Sequence, residues 1–126
     1  MYKRQVYPYP KEILIGFKRF CVKNQLDYEI LDKIYEEMEL ELKDLYIIIQ
    51  ESDLVNLVKQ TRDQHYKLGE DIGIISYNDT PLKELLGITV ISTDFQKMGV
   101  LAAEIILNKS PKSIKNDFNF INRHSA

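Results

Sequence analysis

The chain has 126 residues, of which 44% are hydrophobic and 29% are charged, as is ordinary for one globular domain. The formal net charge of −2 argues against direct binding to nucleic acid, because phosphate binding needs clustered Lys and Arg and the basic residues here are scattered. The single cysteine, Cys21, excludes an internal disulfide. We expect a cytoplasmic protein without membrane contact, since no apolar run could cross a bilayer and no signal peptide begins the chain.

The first predicted element is a helix that begins near Pro10, a residue that suits a first helical position. Apolar side chains follow it at helical spacing: Ile13, Leu14, Phe17, Phe20 and Cys21. Residues 26–31 are then predicted to form a short strand, with Tyr28 and Ile30 on one face.

A strand, helix, strand unit is predicted at the centre of the chain. The run 45–49 is continuously apolar, which is typical of a strand covered on both faces. Ser52 is the expected N-cap of the helix, and Gly69 is expected to end it. One helix face carries apolar and weakly polar residues at helical spacing: Leu54, Leu57, Val58, Thr61 and His65. Residues 72–77 form the second predicted strand.

Polar amide side chains follow both of these strands. Gln50 comes directly after the first run, and Asn78 comes directly after the second. Ligands of open parallel sheets bind at the carboxyl ends of the strands, and a crossover connection brings two such ends to one edge. Gln50 and Asn78 are therefore the first candidates for a binding site.

The remainder of the chain continues the alternation of strands and helices. A loop over residues 80–87 precedes a strand at 88–92, and Asp94 is expected to cap the next helix. That helix, at 94–108, carries a broad apolar stripe of Phe95, Met98, Leu101, Ala102, Ile105 and Ile106. A closing strand is predicted at 118–121. The pattern predicts an α/β fold with an open, largely parallel sheet and flanking helices.

Catalytic and cofactor motifs are absent from the sequence. The chain has no GxGxxG, P-loop, CxxC or HExxH pattern, and His65 and His124 have no partnered nucleophile. Asp79 lies in a turn and Asp94 at a helix start, where aspartate has local structural roles. The sequence therefore predicts no metal site, no cofactor and no enzymatic activity.

Four motifs occur in an order that resembles a known family: a Gly-Phe pair in the first helix, LGEDIGIISYNDTPL, ITVISTDFQKMGVLAAEIIL and FINRHS. Together they resemble the carboxyl-terminal part of the LacI/GalR-type sensor domain, the regulators' version of the type I periplasmic binding protein fold. They are most similar to hybrid regulators in which a GntR-type winged helix precedes the sensor. The resemblance implies that residues 1–126 form a partial domain, without the DNA-binding head and the amino-terminal sensor subdomain.

The resemblance also implies a function. Such a module binds a small-molecule effector, a sugar or sugar phosphate, works as a homodimer, and controls operator binding by a separate winged-helix or helix-turn-helix head. Asn78 and Gln50 match positions that often hydrogen-bond a sugar hydroxyl in the family. Asp79, Ile13 and Phe17 complete the expected effector-binding residues, and Ile13 stands where many members carry an arginine that reaches the ligand.

The resemblance has a further consequence for the helix at 94–108. In the family this helix packs on the amino-terminal subdomain, so we expect its apolar stripe here either to be exposed or to fold back onto the remaining sheet.

Two other functions are compatible with the predicted fold. A periplasmic sugar-binding protein of a transporter shares the architecture, and an upstream signal peptide would favour it. A small doubly wound enzyme or receiver-like domain would need reactive side chains clustered at the strand ends.

Overall fold

The computed structural model describes residues 9–109 and 113–126, and they fall into two compact units divided after Asp32. In the first unit, helix α1 (Lys11–Lys23) begins directly after Pro10. Cys21 is buried, and the Phe17 ring contacts Tyr28 edge to face with the ring centroids 5.6 Å apart.

In the second unit, the described residues of 33–126 form the sheet and three helices. Its elements in chain order are β1 (Leu45–Ile48), α2 (Glu51–Asp63), β2 (Gly73–Tyr77), α3 (Pro81–Leu85), β3 (Thr89–Thr93), α4 (Phe95–Leu107) and β4 (Phe118–Ile121).

The four strands form one open sheet in the order β1-β2-β3-β4. β1, β2 and β3 run parallel, and β4 pairs antiparallel with β3. The parallel neighbours are joined by connections that contain α2 and α3, as parallel pairing requires a crossover. The predicted α/β fold with an open, mostly parallel sheet and flanking helices is confirmed.

The hydrophobic core lies between α2 and one face of the sheet. Leu54, Leu57 and Val58 are buried, and Thr61 is buried on the same helix face, as the spacing predicts. The sheet contributes fully or almost fully buried apolar side chains: Ile48, Ile72, Ile74, Ile88 and Val90. The opposite sheet face exposes Leu45, Ile47, Ile91, Phe118 and Phe120.

The predicted strand at residues 26–31 is wrong. These residues form no strand, and only a bend at Asp32 follows them. A strand needs a hydrogen-bonded neighbour, and Asp27 and Glu29 have low strand propensity. Tyr28 instead packs against Phe17 of α1.

The predicted ends of α2 also need correction. Gln50, and not Ser52, occupies the N-cap position. The helix ends at Asp63 in a Schellman-type turn, in which the Tyr66 N–H donates to the Thr61 carbonyl at 2.8 Å. His65 takes the left-handed position of that turn (φ 58°), so its exposed side chain does not continue the buried face.

Gly69 lies in a later turn and does not end α2. Its N–H donates to the Ile72 carbonyl at 2.8 Å, and its φ is 82°. A Cβ atom at this position would collide with the carbonyl group of His124. Glycine is therefore required both by the left-handed backbone and by the close approach of the carboxyl-terminal segment.

Residues 80–87 are not only a loop, since they contain α3. Pro81 occupies its first turn, and the Thr80 hydroxyl accepts from the Lys83 N–H at 3.3 Å as the N-cap. The predicted cap of α4 is confirmed, because the Asp94 carboxylate accepts from the Lys97 N–H at 2.9 Å.

Helix α4 has no buried residue. Its apolar side chains are half-buried or exposed, and Ile106 and Leu107 are 75% and 80% exposed. Of the two expected arrangements, the exposed apolar face is the one found. No helix in residues 9–109 and 113–126 is long and apolar enough to span a membrane.

Candidate functional site

The candidate site lies at the carboxyl ends of β1 and β2, in residues 50–52 and 78–80, which we call the carboxyl edge. The parallel register pairs Ile48 with Ser76, and Gln50 and Asn78 each follow two residues later. The Thr80 hydroxyl donates to the Glu51 carboxylate at 3.3 Å and so links the two loops. The structure thus brings Gln50 and Asn78 to one edge of the sheet.

Asn78 is held by two hydrogen bonds to β3 in a left-handed conformation with φ 62°. Its N–H donates to the Ile91 carbonyl at 2.7 Å, and its side-chain oxygen accepts from the Thr93 N–H at 3.0 Å. Because an N–H group can only meet the amide oxygen, this second bond fixes the orientation of the side-chain amide. Among the described residues no acceptor lies on its Nδ2, which leaves an NH₂ group available to a ligand.

Gln50 presents a second, less restrained amide. It precedes α2 in an extended conformation and makes no side-chain capping bond. Its Oε1 lies 3.5 Å from the Ser52 hydroxyl, a long contact, and its Nε2 has no acceptor in the described part of the chain. The Gln50 amide can therefore both donate to and accept from a ligand hydroxyl.

Asp79 is engaged by an arginine. Arg123 Nη1 and Nη2 donate to its two carboxylate oxygens at 2.8 and 2.7 Å, and the Asp79 N–H donates to the Ser92 hydroxyl at 2.9 Å. The hydrogen bonds from Arg123 hold the pKa of the Asp79 carboxyl below its ordinary value, although partial burial acts in the opposite direction. The side chains of Asp79 and Arg123 are only 27% and 16% exposed. Asp79 thus forms a structural ion pair with Arg123. The binding role predicted for Asp79 stays a prediction.

Ile13 and Phe17 lie on α1, in the first unit. Both side chains are partly buried, and Phe17 makes the ring contact with Tyr28. Their predicted contact with an effector stays a prediction.

Lys83 is a charged residue at this site that the sequence reasoning missed. It lies on α3 and is only 3% exposed, and its Nζ donates to the carbonyl oxygens of Tyr77 and Asn78 at 2.8 and 2.7 Å. Burial lowers the pKa of the Lys83 ammonium below its ordinary value, while the nearby Glu51 and Asp79 carboxylates oppose this. The sequence held one weak signal, a lysine that follows Leu82 shortly after a strand-end turn.

The described residues do not form a metal-binding group at the carboxyl edge. Within residues 9–109 and 113–126, no group of three or more His, Cys, Asp or Glu side chains could hold a metal ion. A cavity of about 140 Å³ lies elsewhere, between α4 and the segment before β4, and is lined by Met98, Leu101, Ala102, Ile105, Ile114 and Asn116. The carboxyl edge is thus a polar wall that carries the amides of Gln50 and Asn78, the hydroxyls of Ser52 and Thr80, and the carboxylates of Glu51 and Asp79.

No family model, no curated protein and no solved structure matches this chain. The resemblance to the LacI/GalR-type sensor domain therefore remains a prediction from the four sequence motifs.

Proposed function

We propose that this chain is the effector-binding module of a transcription regulator of the LacI/GalR-like or GntR/LacI hybrid type, and that it is a binding module and not an enzyme. The effector is a sugar or sugar phosphate, and operator DNA is bound by a separate winged-helix or helix-turn-helix domain. In this proposal the residues form the carboxyl-terminal subdomain of a type I periplasmic binding protein-like fold and act in a homodimer.

The observation that carries the proposal is the pair of amides at the carboxyl edge. The adjacent parallel strands β1 and β2 are followed by Gln50 and Asn78, and the NH₂ groups of both have no acceptor among the described residues. The carboxyl ends of parallel strands are where ligands bind in open α/β sheets.

The side-chain amides of the carboxyl edge suit a polyhydroxylated ligand. Sugar hydroxyls donate and accept hydrogen bonds, as do side-chain amides, so each ligand oxygen can satisfy a protein donor. The Asn78 amide is already oriented by Thr93, which reduces the conformational entropy that binding must overcome. The half-exposed Gln50 can adjust to a second hydroxyl.

The proposal is tested with the natural full-length polypeptide and defined sugars. A panel of D-glucose, D-galactose, D-ribose, L-arabinose and D-glucose 6-phosphate is screened by thermal shift, and any hit is measured by calorimetry. We expect Gln50→Ala to weaken binding of the hit by about 5- to 150-fold, which corresponds to the loss of about 1–3 kcal/mol of hydrogen bonding.

Lys59→Ala is the matched control, because Lys59 is exposed in the middle of α2. It should bind the hit as the wild type does. A hit whose affinity is the same in Gln50→Ala and in Lys59→Ala would reject this wall as the site. A polypeptide that binds no member of a broad sugar panel would reject the proposed effector class.

A further inference from the structure

Lys83 makes an unusual set of contacts for a lysine. Lysine is almost never fully buried unless it is paired, yet Lys83 is 3% exposed. No carboxylate of the described residues lies within ion-pair distance of it. Its hydrogen bonds go instead to two successive backbone carbonyls, those of Tyr77 and Asn78. The ammonium group therefore acts on the backbone at the end of β2.

The two carbonyls belong to the turn that orients the Asn78 side chain. Asn78 adopts a left-handed conformation that non-glycine residues rarely take, although asparagine tolerates it best. On one side the turn is tied to β3 through Ile91, Ser92 and Thr93. On the other side the Lys83 ammonium, from α3, donates to both carbonyls.

Burial lowers the pKa of the Lys83 ammonium, and two nearby carboxylates act in the opposite direction. The Glu51 and Asp79 carboxylates lie near enough to favour the ammonium form, and Asp79 is shared with the Arg123 guanidinium. A hydrogen bond from a charged donor is roughly twice as strong as one between neutral groups. Methionine at position 83 would keep the length of the buried stem but would leave both carbonyls without this donor.

We propose that Lys83 is a positioning residue of the carboxyl edge. Its ammonium group binds the carbonyls of Tyr77 and Asn78 and so holds the Asn78 NH₂ group toward the ligand. The ligand part of this proposal rests on the function proposed above. The positioning part concerns the unliganded chain and is tested without any effector.

The test compares Lys83→Met with Lys59→Met in the full chain by ¹H–¹⁵N NMR. The side-chain NH₂ signals of Asn78 are assigned from their loss in Asn78→Asp. We expect Lys83→Met to shift these signals clearly, while the NH₂ signals of Asn56, which donates to the Ile34 carbonyl, stay in place. Lys59→Met should shift neither set. Unchanged Asn78 signals in a folded Lys83→Met chain would overturn the proposal.

A second measurement covers the case in which Lys83→Met does not fold. In the wild type, ¹³C-detected spectra follow the Lys83 Cε and the carbonyl carbons of Tyr77 and Asn78 as the pH rises. The proposal is supported if the carbonyl signals shift with the same pH midpoint as the Lys83 Cε signal. Carbonyl signals that stay constant while Lys83 titrates overturn it.

Where a sugar of the panel binds the wild type, Lys83→Met should weaken its affinity at least about five-fold. A wild type that binds no sugar rejects the proposed function, whereas unmoved Asn78 signals reject the role of Lys83.

Discussion

Arg123 binds Asp79 through two parallel hydrogen bonds, although 44 residues separate them in the chain. The same guanidinium donates to the Ile88 carbonyl at 3.1 Å. The pair thus connects the turn after β2, the start of β3 and the segment that follows β4. Because both side chains are largely shielded from water, this pair resists screening better than an exposed one does.

Arg123→Ala should lower the free energy of unfolding by about 1–3 kcal/mol, because a partly buried carboxylate loses both of its hydrogen bonds from arginine. Arg123→Lys should recover only part of this loss, since an ammonium cannot form the bidentate pair. Chemical denaturation measures both, and Arg19→Ala, at an exposed position of α1, is the control. An Arg123→Ala variant as stable as the control would show that the pair contributes nothing.

The contribution of the pair should depend on pH in a defined direction. The pKa of Asp79 is lower in the folded chain than its ordinary value of 3.8, so folding favours the ionised form. The stabilisation is therefore fully present above the unfolded-state pKa near 4 and is lost as the pH falls through the folded pKa. We expect the stability difference between the wild type and Asp79→Asn to shrink below pH 4. A difference that is constant from pH 7 to pH 2.5 would contradict this.

Substitutions of Asn78 should separate its structural role from its predicted binding role. Asn78→Ala loses the bond to the Thr93 N–H and puts alanine, which tolerates the left-handed backbone less well than asparagine, at φ 62°, so we expect a loss of ~2 kcal/mol in stability. Asn78→Asp keeps an acceptor for Thr93 and should be more stable than Asn78→Ala, while it lacks the NH₂ donor. Thermal and denaturant unfolding rank the variants. Equal stability of the two variants would mean that the Thr93 bond is of no consequence.

The sheet could be predicted from the sequence, because its strands are short apolar runs bounded by polar turns. Residues 26–31 mark the limit of sequence patterns, since a stretch with apolar residues on one face becomes a strand only where a neighbouring strand pairs with it. The position of Gln50 and Asn78, directly beyond two neighbouring strands at one edge of the sheet, was predictable from topology. The contacts that fix them were not, because Lys83 reaches the carbonyls from a helix of five residues and Arg123 reaches Asp79 across the sheet. Such contacts depend on three-dimensional proximity, which no local spacing encodes.

Ser125 should contribute strongly to stability despite its place next to the carboxyl terminus. It is 1% exposed, and its hydroxyl accepts from the Thr89 N–H at 2.7 Å and donates to the Ile74 carbonyl at 2.6 Å. Ser125→Ala leaves the buried Thr89 N–H unsatisfied, so we expect a loss of about 1–3 kcal/mol in the free energy of unfolding. Ser113→Ala, at an exposed position, is the control and should leave stability unchanged. Equal unfolding midpoints for the two variants would refute the prediction.

The exposed apolar face of α4 should make the 126-residue chain associate. None of its residues is buried, and Val100, Ile106 and Leu107 are all more than half exposed. A contiguous apolar surface of this kind favours contact with other molecules or binding of a hydrophobic dye. We expect light scattering of the purified chain to show oligomers at micromolar concentration.

Charged substitutions on this face test the cause of the association. In the double variant Ile106→Lys and Leu107→Lys, oligomers and dye fluorescence should both decrease while stability is kept, because these side chains are already exposed and cations suit a helix carboxyl end. Leu101→Lys is the contrasting control, since Leu101 is half-buried and lines the cavity beside Ile114. It should instead lower the free energy of unfolding by about 1 kcal/mol or more, because charging a partly buried apolar site carries a desolvation penalty. A double variant that associates as strongly as the wild type would place the contact surface elsewhere, with the exposed sheet face of Phe118 and Phe120 as the next to be tested.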